Sequence, residues 1–390
     1  MIRALFIIPI IVIACNSSDG NTNKTSVTDT GDSLGLVSEE GLKLEQIILP
    51  DGFEIKVFAR VSKARSMAIS PSGTLFIGNR NGGKVYAVRD TDGDFKIDEK
   101  HVIASGLNMP NGVAFKDGDL FVAEVSKLHK YNDIENDLGE IEPEPTLIYD
   151  DFPKEKHHGW KYIAFGPDDK LYVPVGAPCN ICESENQMFT SIIRMDDDGK
   201  NREIFATGVR NTVGFTWHPE TDELWFTDNG RDLMGDDLPP CELNRATTKG
   251  QHFGYPYCHA GNIKDPEFGG KRSCDEFVPP VQNLGPHVAP LGLKFYTGKM
   301  FPSLYQGSII IAEHGSWNRS KEAGHTGHQV SMVTEEDGIG TSYEPFITGF
   351  LDKKTNVAWG RPVDVLVLED GSLLISDDLS GTIYRVTYTG

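Results

Sequence analysis

The chain has 390 residues, 38% hydrophobic and 24% charged, so it is long enough to bury a large core. Its formal net charge of −20 argues against nucleic acid and anionic membrane surfaces as partners, and is read as the acidity of a soluble exported protein. Length alone suggests more than one domain, although large all-β folds often exceed the usual domain size.

The first residues are not fold. Met1-Ile2-Arg3 and the apolar run Ala4 to Ile13 form a short basic flank and a core too short to span comfortably as a mature helix. Residues 1–14 are therefore expected to be a signal peptide. The run ends in Ala14-Cys15-Asn16, which resembles the lipobox of bacterial lipoproteins, where cleavage leaves a lipid-modified cysteine first. An anchor on Cys15 places the protein in a bacterial cell envelope, periplasmic or outer-membrane facing; an ordinary signal peptide with an incidental cysteine is the alternative. Residues 15–41, rich in Ser, Asn, Thr, Asp and Gly, read as a flexible tether.

Export permits disulfides. Of the six cysteines, setting Cys15 aside leaves five. Cys258 and Cys274 bracket a loop rich in Gly and Pro and are expected to pair. Cys179-Asn180-Ile181-Cys182 closes a small ring, forms a metal half-site or stays reduced; no second such motif exists to complete a zinc site. Glu183 follows it, which excludes a c-type haem attachment. Cys241 has no obvious partner.

From residue 42 to 390 no long stretch shows a helical apolar period. Instead a turn followed by an apolar strand recurs around Leu75, Leu120, Leu171, Leu224, Ile309 and Leu373, at intervals of 45, 51, 53, 85 and 64 residues. Most have a preceding apolar run, and several a following alternating one. Repeats of ~40–50 residues with several strands each describe β-propeller blades. The expectation is an all-β, six-bladed propeller, with the long interval from Gly230 to Pro290 as a loop insertion. The strand Phe53–Ala59 precedes the first repeat, and pairing it with the last would close the ring and remove an exposed edge. A β-sandwich gives no reason for six similar units.

Antiparallel pairing puts the entry of each blade's first strand beside the exit of its second. That rule gathers Arg65, Asn79, Arg80, Asn111 and Glu124 at one end with His157, His158 and Lys161. It adds Arg210, Asn211 and Asn229 to Asp232, then His287, Glu313, His314, Trp317, Arg361, Asp377 and Asp378. A cationic mouth on an acidic protein suits a small polyanionic ligand.

Within the mouth, an imidazole of His157-His158 suits a general base, against the plainer reading of a surface histidine. Arg210-Asn211 offers a guanidinium fork and an amide for carboxylate or carbonyl oxygens, and an ion pair to Asp228 or Asp232 can coexist with that role. The Asp228-to-Asp232 loop has carboxylates and a Gly-loosened backbone, oxygen chemistry for calcium or simply a solvated turn. Trp317 either stacks on a flat ligand or caps the core. Asp90-Thr91-Asp92-Gly93-Asp94 fails the calcium-loop test, because its sixth position is Phe95 and its twelfth is His101.

The segments HHGWKYIAFGPDDKLYVPVG at 157–176, GVRNTVGF at 208–215, LWFTDNGRD at 224–232, ELN at 242–244, HVAPLGLKFYTG at 287–298, EHGSWNRS at 313–320 and GRPVDV at 360–365 resemble the glucose/sorbosone dehydrogenase family. This family includes the pyrroloquinoline quinone (PQQ) dependent sugar and pyranose dehydrogenases. The resemblance implies a six-bladed propeller, PQQ and Ca²⁺. It implies that His158 is the base, with His157 the alternate, and that Arg210 and Asn211 meet the quinone oxygens. Gly230 and Arg231 would hold calcium through their carbonyls, with Asp232 beside them. Arg65, Lys161, His314, Trp317 and Arg361 would line the cofactor.

The glucose-oxidising members have Gly-Pro where this chain has Gly230-Arg231, and they differ again at Gly159-Trp160-Lys161, so this sequence is more similar to the sorbosone and pyranose branch, and the departures bear on the substrate more than on the cofactor. The implied reaction is hydride transfer from a sugar, pyranose or sugar aldehyde, with electrons leaving to an external acceptor such as a cytochrome c or a quinone. A metal-dependent propeller lactonase and a non-catalytic sugar- or partner-binding lipoprotein are the competing readings.

Overall fold

A computed structural model describes residues 33–139 and 143–390. The expected signal peptide, the lipidated Cys15 and the tether up to residue 32 lie outside the described residues. Of the tether's remainder, Ser33–Leu36 forms one helical turn, and Leu36 is buried among Phe58, Ala59 and Ile383. That part is docked rather than free, because an apolar side chain meets an apolar blade edge there.

Six blade sheets follow, each with four antiparallel strands and one of them with a fifth strand besides, and each expected repeat is the second strand of one of them. Blade 1 runs Ala64–Ile69, Leu75–Asn79, Val85–Arg89 and Glu99–Ala104. The second strands of the others are Asp119–Ala123, Leu171–Val175, Leu224–Asp228, Ile309–Glu313 and Leu373–Asp377. Four of these five, and that of blade 1, are buried at every position, so they read as continuous apolar runs rather than as alternation. Outer strands, such as Thr146–Tyr149, are exposed or half-buried along their length.

The core is divided accordingly, one apolar cluster to each interface between neighbouring blades. Phe76, Val113 and Leu120 join blades 1 and 2; Phe121, Leu171 and Val173 join 2 and 3; Tyr172, Phe215 and Phe226 join 3 and 4. Trp225, Leu293 and Ile311 continue to blade 5, Ile310, Val365 and Ile375 to blade 6, and Leu374 and Ile383 return to Leu75 and Ile77. At Gly214 the inner strands of blades 4 and 5 come so close that a β-carbon would run into the Leu291 carbonyl oxygen.

The ring closes as expected. Phe53–Arg60 pairs antiparallel with Thr382–Tyr388, from Phe53 opposite Tyr388 to Arg60 opposite Thr382. The insertion after Gly230 does more than loop out: Gln251–His252 adds a fifth, parallel strand to blade 3 beside Ala206 and Thr207. Cys258 and Cys274 are bonded, as are Cys179 and Cys182, and Cys241 is free and buried.

Candidate active site

One end of the ring opens into a cavity of about 630 Å³ whose wall is shared by all six blades. His157 and His158, Arg210 and Asn211, Asn229, Gly230 and Asp232, His314, Trp317, Arg65 and Arg361 all line it. So do Arg80, Lys156, Trp160, His287 and Asn318.

His158 is 8% exposed and adopts φ 50°, the left-handed region that side-chain-bearing residues rarely enter. Gly176 makes room for it, since a β-carbon there would lie 2.7 Å from His158 Cβ and 3.2 Å from Arg210 O. Its Nδ1 is 3.0 Å from Ala177 O, which requires a proton on Nδ1 and leaves the lone pair on Nε2. Burial, then Arg210 and His157, hold its pKa well below the usual imidazole value, so it is a free base at neutral pH. The His157 ring lies 4.1 Å from it, and its pKa is lowered by burial and by Arg210.

The expected juxtaposition of Arg210-Asn211 with the Asn229–Asp232 loop is present. Asp228 accepts the backbone N–H of Arg210 at 2.8 Å and of Asn211 at 2.6 Å. Burial pushes Asp228 up to about 6, and these backbone donors oppose that rise. The Arg210 guanidinium donates to Asn180 O at 2.9 Å, Asn229 O at 3.0 Å, Asn180 Oδ1 at 2.8 Å and Asp232 Oδ2 at 3.0 Å. A guanidinium has five N–H groups, so these bonds leave one for the cavity.

The opposite wall is different. Arg65 donates to Asn111 Oδ1 at 2.5 Å and to Asp378 at 2.6 Å. Arg361 donates to the carbonyls of His314 and Gly315 at 2.8 and 2.6 Å. Arg80 stacks 3.6 Å over the Trp160 ring, yet its buried Nε has no hydrogen-bond partner among the described residues. Burial and the neighbouring Arg65 lower its pKa to about 10, with Arg361 adding to the effect. Trp160 Nε1 and Asn318 Oδ1 are also buried without partners. Buried polar groups are normally bonded, so the orphan donors of Arg80 and Trp160 mark where a ligand's oxygens belong, and Asn318 Oδ1 marks where a ligand's donor does.

The expected placement of Lys161, Glu124 and Glu313 needs correction. Lys161 does not line the cavity: it is 1% exposed, donates from Nζ to Gly159 O at 3.0 Å and lies over the Phe152 ring. Burial lowers its pKa to about 7. The strand-end rule finds the right end of the blade but not which side of the strand faces inward. Glu124 and Glu313 are likewise at that end but engaged behind the wall, Glu124 with His129 and Glu313 with Ser331 and Tyr343. Trp317 is 68% exposed at the rim, so it does not cap the core. His314 is bonded to Asp378 at 2.8 Å, and burial pushes its pKa down to about 4.

The TrAA12-like family matches residues 47–389. The chain belongs to it. An uncharacterised protein of Borreliella burgdorferi is 33% identical over 372 residues, spanning 91% of this chain and 96% of that protein. An uncharacterised protein of Synechocystis is 28% identical over 185 residues, 40% of this chain and 43% of that one. Among solved structures, the holo PQQ domain of a pyranose dehydrogenase from Coprinopsis cinerea has TM-score 0.73 at 17% identity, covering 87% of this chain and 97% of that one. A Trichoderma reesei enzyme of family AA12 has TM-score 0.73 at 19%, covering 88% and 97%. The PQQ-bound aldose sugar dehydrogenase of Streptomyces coelicolor has TM-score 0.63 at 19%, covering 87% and 99%. At these identities the likeness is one of fold, and it bears out the resemblance to PQQ-dependent sugar dehydrogenases read from the sequence.

The wall of this TrAA12-like protein fits a flat tricarboxylate with a quinone edge. It supplies unmet donors from Arg80 and Trp160 and a guanidinium N–H from Arg210. For a calcium ion, no hydrogen bond among the described residues ends on the carbonyl oxygen of Gly230 or Arg231, which leaves both available as hard oxygen ligands. The Arg231 side chain turns away to Asp265 at 2.5 Å and Glu267 at 3.2 Å. Asp232 is spent on Arg210 and on Asn318 at 2.6 Å. Among the described residues, the one group of three close acidic, His or Cys ligand atoms is Asp90, Asp92 and Asp98, well away on the outer turn of blade 1. Asp90 there already accepts N–H groups of Gly93 and Phe95.

Proposed function

We propose that this protein is a PQQ- and calcium-dependent dehydrogenase that oxidises a sugar, pyranose or sugar aldehyde and passes the electrons to an external acceptor. The observation that carries the reading is the gathering, round one cavity, of a neutral buried imidazole and four arginines, one of which, Arg80, has a buried Nε with no partner among the described residues. The names of the solved structures sharing the fold support it.

In this reading Arg65, Arg80 and Arg361 take the carboxylates, Asn211 and Arg210 the quinone edge, and the Gly230 and Arg231 carbonyls the calcium. When bound, PQQ supplies the two-electron acceptor and calcium polarises it. His158 Nε2 takes the proton of the sugar hydroxyl while Nδ1–H stays on Ala177 O. The remaining Arg210 N–H steadies negative charge developing at the mouth. Trp317, on the rim, offers a face to the sugar. A lactonase would want a carboxylate cage in the mouth, whereas Asp232 and Asp378 are each tied to an arginine.

Purified protein given PQQ and Ca²⁺ is expected to reduce an artificial dye when an aldose or sugar aldehyde is added. Lactone cleavage without PQQ, or silence in both assays, overturns the reading. We also propose an envelope location through lipid on Cys15, supported by the basic and apolar N-terminus and by the two disulfides. Cys15→Ser should move the protein from the membrane to the soluble fraction.

A further inference from the structure

We infer that Asn180, held inside the Cys179–Cys182 ring, is the positioning residue for Arg210 and for the Asn229–Asp232 side of the mouth. Asn180 does not line the cavity, yet four hydrogen bonds run from it to groups that do. Its backbone oxygen accepts from Arg210 Nε at 2.9 Å, and its Oδ1 accepts from the second terminal nitrogen of Arg210 at 2.8 Å. The same Oδ1 accepts from Asp232 N at 2.8 Å, and Nδ2 donates to Asp232 O at 2.9 Å. One residue thus grips one guanidinium with both its main chain and its side chain, and ties it to the neighbouring loop.

The disulfide explains how. A four-residue ring leaves Asn180 few backbone conformations, so both acceptors stay aimed at Arg210 without a large ordering cost on each occasion. The ring is itself fastened, because Cys182 N donates to Tyr255 Oη at 3.0 Å. Such a brace is needed here. Arg210 shares the cavity with three other guanidiniums, from Arg65, Arg80 and Arg361, and a long cationic side chain left loose would swing away from them.

The catalytic consequence rests on the proposed function; the bracing itself does not. Asn180→Ala and the pair Cys179→Ser/Cys182→Ser test both. In the cofactor-free protein, amide hydrogen exchange over residues 229–233 should quicken by about tenfold or more in each. Quenching of tryptophan fluorescence should show PQQ bound about tenfold more weakly, and kcat for the sugar should fall about tenfold with KM little changed. If exchange and PQQ affinity of Asn180→Ala match the wild type, the inference is overturned. Faster exchange in the variants of a wild type that neither binds PQQ nor oxidises a sugar would keep the brace and sink the proposed function. If the serine pair fails to fold, Asn180→Ala decides alone.

Discussion

The two walls of the mouth treat the same side chain in opposite ways. On the wall from blades 3 and 4, Arg210 is 3% exposed and spends four N–H groups on fixed oxygens. On the wall from blades 6 and 1, Arg80 has a buried Nε with nothing to bond, and Arg65 and Arg361 crowd it. All but one of Arg210's N–H groups are taken before any ligand arrives, whereas Arg80 keeps a buried Nε unmet. Geometry for chemistry is thus kept on the finished side, and attraction for an anion on the unfinished one. A finished side can hold a base and an oxyanion donor to the tolerance catalysis needs, while an unfinished side gains the most when a ligand docks.

Removing His158, the base in the proposed function, should have the largest effect. His158→Ala is expected to lower kcat by ~10²–10⁴-fold while PQQ still binds, as checked by steady-state rates and cofactor titration. Full turnover in that variant would move the base to His157. Next come the arginines. Arg210→Ala strands Asp232 and the Asn180 carbonyl, and should cost roughly 3 kcal/mol in a urea melt. Arg80→Leu should leave stability unchanged or slightly raised, because it removes like-charge repulsion, yet weaken PQQ binding by about tenfold. Equal stability losses in the two variants would erase the contrast.

The smallest effect is on pH. The His158 pKa is depressed by burial and Arg210, so the neutral form that works persists as pH falls through the ordinary imidazole range. An undepressed imidazole would lose about tenfold in rate one unit below its pKa, so kcat/KM holding nearly level from pH 7.5 to 5.5 separates the two cases.

Much of this was legible in the chain because a propeller repeats its instructions. A turn, an apolar run and a polar strand exit recur, and strands buried on both faces announce themselves without alternation. Ring closure followed from one strand left over. The mouth could be assembled because antiparallel pairing fixes which ends meet. Sidedness could not: Lys161 and Arg80 both stand at strand ends, and only packing against Phe152 or Trp160 decides which one enters the cavity. Asn180 was hidden for another reason. It sits in a loop between strands of blade 3, where sequence shows a possible ring but not what the ring grips. The parallel strand Gln251–His252 is two residues long, too short for any periodicity to register.

The sheet that joins Phe53–Arg60 to Thr382–Tyr388 also sets a timetable for synthesis. Five blades can assemble as the chain emerges from the ribosome, but the sixth waits until Thr382–Tyr388 has been made. Until then the early strand offers its bare edge to any passing β-segment, and a chain that stops before Thr382–Tyr388 yields an open ring rather than a smaller propeller.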